Sequence, residues 1–300
     1  MTELSTTPIE QFLRGPERAP HNRGLRPNDD RPAPLAGSIH DDATAQKLGF
    51  RGGTIAGSMH MDQFVPVLIE ALGAEWFETG SLSLSFKNAT ISGDPVIAMV
   101  ARPQSGVPAQ VEARMEQPDG TLVASGTASV GALDQPTHLM ATPLRQAEPG
   151  TLRMLAGLSV GDPLAPRESS VSSASLGARI GAGGLTEPLD WYTGNSPWGG
   201  PVANPSSVVH LLRNGPGDFG RNVGKAVGLF GAIEIRHHAG PVFLDTPYQV
   251  TGTIAALGSS PRTEYVWYDS AAHDADGRLI ATMRMQLRWM TASSPLYAQD

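Results

Sequence analysis

Three hundred residues, 40% of them hydrophobic, are enough for one large or two ordinary domains with a real core. A net charge of −7 and scattered basic residues leave no stripe of cations for a nucleic-acid groove. The absence of Cys excludes disulfides, thiolate metal sites and Cys nucleophiles. The 34 Gly and 25 Pro imply many turns and irregular connections.

The first residues, Met1 to Pro8, lack the charged-then-apolar pattern of a leader, and no apolar run approaches the ~18 residues of a membrane span. The expectation is a soluble cytoplasmic protein with no membrane and no nucleic-acid partner. Residues 1–35 are polar and rich in Pro and Arg. They read as a surface arm with a short helix around Ile9 to Leu13, or as a lid over a pocket.

Ile55 to Leu72 carries Met59, Phe64, Val65, Val67 and Leu68, the spacing of a mostly buried helix that Gly73 stops. Leu82, Leu84 and Phe86 then alternate with Ser81, Ser83 and Ser85, a half-buried strand. Val96–Ala101, Gln110–Met115 and Leu122–Val130 read as three more strands, with Asp119-Gly120 as a tight hairpin turn.

The second half repeats this plan. Ile233, Ile235 and His237 stand for Leu82, Leu84 and Phe86, and Leu244-Asp245 stands for Gly93-Asp94. Tyr248–Ala256, Glu264–Tyr268 and Leu279–Trp289 read as strands, with a hairpin at Asp276-Gly277. Asn204-Pro205 followed by Val208, Val209, Leu211 and Leu212 is the second central helix. A repeat of about 150 residues is too long for a solenoid and fits two fused copies of one domain. The expected division is an arm at 1–35, a first unit at 36–131, a Pro-containing linker at 132–157 and a second unit at 158–300. Fusion lets the halves pair across a sheet edge that would otherwise template aggregation.

The chemistry-bearing stretch is Ser38-Ile39-His40-Asp41-Asp42, followed by Gly49-Phe50-Arg51-Gly52-Gly53-Thr54-Ile55-Ala56-Gly57. It sets a His and two carboxylates before a Gly-rich turn and a helix start. Such a layout can place a general base beside backbone N–H donors able to hold an oxyanion. The plainer readings are that Asp41 or Asp42 caps the segment Ala43 to Leu48, and that the glycines serve tight packing. His60 and Asp62 lie on the central helix as either a polar face or a functional pair. Asp29 and Asp30 lie upstream in a loop that could fold back. His237, His238 and His273 do not make a metal site, since adjacent strand residues point to opposite faces and no carboxylate cluster joins them.

This stretch resembles the active-site segment of the MaoC-like (R)-specific enoyl-CoA hydratases, which reads roughly Gly-Asp-x-Asn-Pro-(Leu/Ile)-His-x-Asp, then an aromatic and Pro-(Ile/Val)-x-His-Gly. His40 and Asp42 fall on His-x-Asp, Phe50 on the aromatic one residue early, and Ala56-Gly57 on the final His-Gly. The family's catalytic Asp, five residues before its His, falls on Leu35, and Gly37-Ser38 replaces Asn-Pro. Ser159 to Asp162, Glu168 to Ser172 and Ser173 to Ile180, which precede the second central helix, resemble the opening strand and helix of a MaoC-like unit. The resemblance implies an α+β double hotdog: two central helices on a continuous curved antiparallel sheet. It implies water addition to, or removal from, a C=C bond conjugated to a carbonyl, with no organic cofactor. His40, Asp42 and Gly57 are the implied catalytic positions, although the family residue at Asp42 is largely structural. Phe50 and Gly53, with Trp191, Tyr192 and Trp198 in the second copy's loop, are the implied substrate-binding positions. A thioesterase with a helix carboxylate such as Asp62, and a non-catalytic acyl-ligand binder, are the rival readings. The expected partner is a small molecule, with acyl-CoA one candidate, and homodimerisation is left open.

Overall fold

A computed structural model describes residues 9–22, 35–104, 110–148, 150–224 and 226–298. Ten strands form one antiparallel sheet: β1 Phe12–Arg14, β2 Ser81–Phe86, β3 Ile97–Ala101, β4 Gln110–Glu116, β5 Leu122–Ser129, β6 Pro163–Ser169, β7 Gly228–His237, β8 Tyr248–Ser260, β9 Thr263–His273 and β10 Leu279–Met290. The helices are α1 Asp42–Lys47, α2 Gly57–Asp62, α3 Val65–Leu72, α4 Trp76–Thr79, α5 His138–Ala141, α6 Ser173–Gly181 and α7 Pro205–Leu212.

The strand order is β1-β3-β4-β5-β2-β7-β10-β9-β8-β6. Its inner eight strands read the same from either end, with β2 and β7 at the centre. The two halves therefore meet by a β2–β7 pairing, Leu82 opposite Ile235 and Leu84 opposite Ile233. The fold is a double hotdog of the α+β class. Turns at Gly120 and Gly277, with φ of 86° and 77°, close the β4–β5 and β9–β10 connections. These values lie in the left-handed region that glycine enters without a Cβ clash.

One sheet face packs on the helices. Leu82, Leu84, Ile233, Ile235, Met283 and Met285 join Phe64, Leu68, Val208 and Leu212 in a single buried core. The expected first central helix is two helices, α2 and α3, parted at Gln63-Phe64. Pro66 sits in the first turn of α3 and has no N–H to continue the ladder from α2.

The serines of β2 are not on a wet face. Ser83 Oγ donates to Glu234 at 2.6 Å, Thr137 Oγ1 donates to the same carboxylate at 2.6 Å, and the Leu139 amide donates to Ser83 Oγ at 2.9 Å. Residues around α5 thus cover the outer face beside the central pairing. Burial pushes the Glu234 carboxyl above its ordinary range against the pull of those two hydroxyls.

The arm differs from its expected form. Among the described residues of the arm, only Ile9–Gln11 is helical, as one 3-10 turn. Phe12–Arg14 instead pairs with β3, Phe12 opposite Ala101, and Phe12 and Leu13 are both buried. Pairing covers the sheet edge at β3. Asp29 and Asp30 lie outside the described residues.

Candidate functional site

The loop before α2 is held by its own polar side chains. Asp41 is the N-cap of α1: its carboxylate accepts from the Thr44 amide at 3.1 Å and the Thr44 hydroxyl at 2.6 Å. Those bonds hold the Asp41 carboxyl below its usual value. Asp42 reaches the other way, and its Oδ1 accepts from the Gly53 amide at 2.7 Å. The Thr54 amide donates to the Ile39 carbonyl at 2.9 Å, and the Ile55 amide to the Thr90 carbonyl at 2.9 Å. Gly53 lies so close to the His40 carbonyl that a Cβ there would overlap it. Asp42 and Gly53 therefore set the loop's path from behind.

This clamp aims His40. Its Nδ1 lies 2.7 Å from the Thr54 carbonyl oxygen, which can only accept, so Nδ1 carries the proton. In the neutral ring Nε2 is then the proton-accepting nitrogen. His40 lines a cavity of about 410 Å³ together with Gly37, Ser38, Phe50, Gly57 and His60. The opposite wall comes from the second half: Arg213, Asn214, residues 226–231, and Leu287, Arg288 and Trp289.

Gly57 opens α2, and Ala56 caps it with no side-chain bond. The Gly57 amide, in the cavity wall, and the Ser58 amide beside it both precede any intrahelical acceptor. The ring of Phe86 lies against Gly57 where a Cβ would collide with it, so any larger residue here would have to displace that ring.

No Asp or Glu lines the cavity among the described residues, while Lys87, Arg213 and Arg288 do. The Arg213 guanidinium lies 5.7 Å from the Phe230 ring centroid. Arg288 donates to Gln286 at 2.8 Å. This wall suits an anionic ligand. Among the described residues, no group of three or more His, Cys, Asp or Glu is placed to hold a metal ion.

Of the residues singled out in the sequence, His40, Phe50 and Gly57 meet at the cavity. Trp191, Tyr192 and Trp198 do not. Trp191 and Trp198 pack at 5.5 Å on one another and at 5.6 Å and 5.8 Å on Phe77. Trp198 Nε1 donates to Glu78 at 2.7 Å, and Tyr192 is buried. These aromatics fix the second half's loop to α4 of the first, filling the space they were expected to line.

Asp62 is enclosed as well. Its carboxylate accepts from Arg179 at 2.9 Å and from the Asn204 side chain and Ser206 amide at 2.8 Å each. It thus caps α7 from the opposite half. Arg213 and Arg288 had no local signal in the sequence, because the end of α7 and β10 bring them to the loop from a distant part of the chain.

No known family profile matches the chain, and no curated protein matches it. Solved structures match across nearly its whole length. A MaoC domain protein dehydratase, so described, from Chloroflexus aurantiacus is 13% identical with a TM-score of 0.58, over 93% of this chain and 95% of that one. A conserved hypothetical protein from Mycobacterium tuberculosis, described as having a double hotdog fold, is 14% identical with a TM-score of 0.55, over 93% and 96%. A MaoC-like dehydratase is 15% identical with a TM-score of 0.53, over 92% and 97%. The chain shares their fold.

Proposed function

We propose that this protein adds water to, or removes it from, a C=C bond conjugated to a thioester carbonyl, with His40 moving the protons. The observation that carries the reading is the His40 ring. Its Nδ1–H is held by the Thr54 carbonyl at 2.7 Å, and it stands on a cavity wall shared with the first residue of α2.

In the addition direction, Nε2 takes a proton from water as the oxygen bonds to the β-carbon. The electron pair moves to the thioester oxygen, where the Gly57 and Ser58 amides receive the developing charge. The imidazolium then returns a proton to the α-carbon on the same face, so no atom is gained or lost beyond the water. One imidazole serving both transfers is consistent with Leu35 at the position of the family's acid. There the Ser38 amide and hydroxyl donate to the Leu35 carbonyl, at 3.0 Å and 2.6 Å, in a tight turn. Lys87, Arg213 and Arg288 offer charge to the phosphates of a nucleotide-linked thioester such as acyl-CoA.

Hydrolysis is disfavoured, because the helix carboxylate that would activate water, Asp62, is enclosed by Arg179, Asn204 and Ser206. The test is to mix the protein with 2-enoyl-CoA thioesters of increasing chain length. Loss of the conjugated absorbance without release of free thiol is expected. Thiol release with no hydrated product overturns the reading, and so does tight binding without turnover of any member.

A further inference from the structure

His60 lies on α2 in the wall of the same cavity and is 2% exposed. Its Nε2 is 2.8 Å from the hydroxyl of Thr90, another wall residue. Its Nδ1 is buried and, among the described residues, has no hydrogen-bond partner. Neither tautomer resolves this. With Nε2 accepting from Thr90, Nδ1 carries a proton with no acceptor. With Nε2 donating, Nδ1 is a lone pair with no donor, and the Thr90 hydroxyl proton is left for another acceptor. A buried polar atom without a partner is costly, so such groups are rare unless something else fills the position.

The two halves differ here. Counted from the residue capping each central helix, Ala56 and Asn204, His60 corresponds to Val208, which is fully buried in the apolar core. The imidazole is thus a feature of the half that carries His40, and a fold-level need for a polar residue at this step of the helix does not explain it.

We propose that His60 and Thr90 form a second polar pole of the cavity that binds the oxygen added to or lost from the ligand, as water or as a β-hydroxyl. This rests on the hydration reading above. His40 moves protons, and the His60–Thr90 pair holds the oxygen in line with the β-carbon. Burial takes His60 down to a pKa of about 4, so the ring is neutral at pH 7 and acts by hydrogen bonding.

The test is calorimetry on the full chain with 3-hydroxybutyryl-CoA and with butyryl-CoA, which lacks the hydroxyl. The wild type is expected to prefer the hydroxyl compound by about five- to tenfold, the worth of one neutral hydrogen bond. His60→Gln and Thr90→Val should each abolish that preference. In the unmutated protein labelled with ¹⁵N-histidine, the His60 ring signals should move with the hydroxyl compound and stay still with butyryl-CoA. This readout decides the matter if a variant does not fold. Survival of the preference in both variants, absence of a preference in the wild type, or binding of neither compound overturns the proposal. Failure of the hydration reading looks different: the wild type would leave 2-enoyl-CoA unhydrated, or release free thiol from it, whatever the His60 variants do.

Discussion

His40→Ala should lower kcat for hydration of an enoyl thioester by about 10²–10⁴-fold, the usual worth of a positioned acid–base group. KM should change little if, as proposed, the ring acts on water and on the α-carbon while the carbonyl is held by the start of α2. The fold should survive. The substitution leaves the Thr54 carbonyl without its imidazole donor, a loss of about 1 kcal/mol for one neutral bond. Asp42, Gly53 and the Thr54–Ile39 bond still fix the loop. Steady-state kinetics with a thermal melt on the same preparation separates the cases. A variant that loses stability but keeps its rate per folded molecule would make His40 a packing residue.

Asp62→Ala should be the most destabilising of the single changes considered. It removes the acceptor for Arg179, Asn204 and Ser206 and leaves a guanidinium with 10% side-chain exposure facing no carboxylate. Breaking a buried pair in this way costs about 3–5 kcal/mol, a large part of the ~5–15 kcal/mol that holds a domain folded. Because Asp62 lies on α2 and its partners on α6 and α7, the loss falls on the junction of the halves. Denaturant titration should show a lower midpoint for Asp62→Ala and a smaller shift for Asp62→Asn, which keeps an acceptor oxygen. A loss below about 1 kcal/mol would contradict a structural role for the carboxylate. A stable variant that had lost thioester hydrolysis would restore the thioesterase reading.

The strands were legible because alternation has a physical cause. Leu82 and Leu84 must face the helices, and the intervening serines must face the other way. What the pattern concealed was the covering of that other face. Ser83 carries no mark that the hydroxyl of Thr137 and the amide of Leu139 will bury it. The site loop was legible in part for the same reason. A His ahead of glycines and a helix start is a local arrangement, and His40, Phe50 and Gly57 do meet at the cavity. That Asp41 or Asp42 would cap the following segment was readable, but which of the two was not: Asp41 caps α1, and Asp42 takes the Gly53 amide across the loop instead.

The far wall was not legible. Arg288 and Trp289 reach the loop through the pairing of β2 with β7 and of β7 with β10, Arg213 comes from the end of α7, and no spacing in the sequence encodes either. Trp191 and Trp198 were misplaced because an aromatic-rich loop fits a pocket wall and a packed plug equally well. Phe77 and Glu78, from α4, decide for the plug. His60 read as a polar helix face because a helical pattern shows which side a residue takes. It does not show that this side opens on a cavity.

The central claim is that the thioester carbonyl meets the start of α2 while the reacting carbons face His40. A crystal structure of the protein with butyryl-CoA, the saturated analogue that cannot be hydrated, tests it most directly. The thioester oxygen should lie about 2.7–3.2 Å from the Gly57 or Ser58 amide nitrogen. The α- and β-carbons should lie toward His40 Nε2, leaving room for one water between them. Butyryl-CoA seated elsewhere, or in the cavity with its carbonyl turned away from α2, would contradict the assignment.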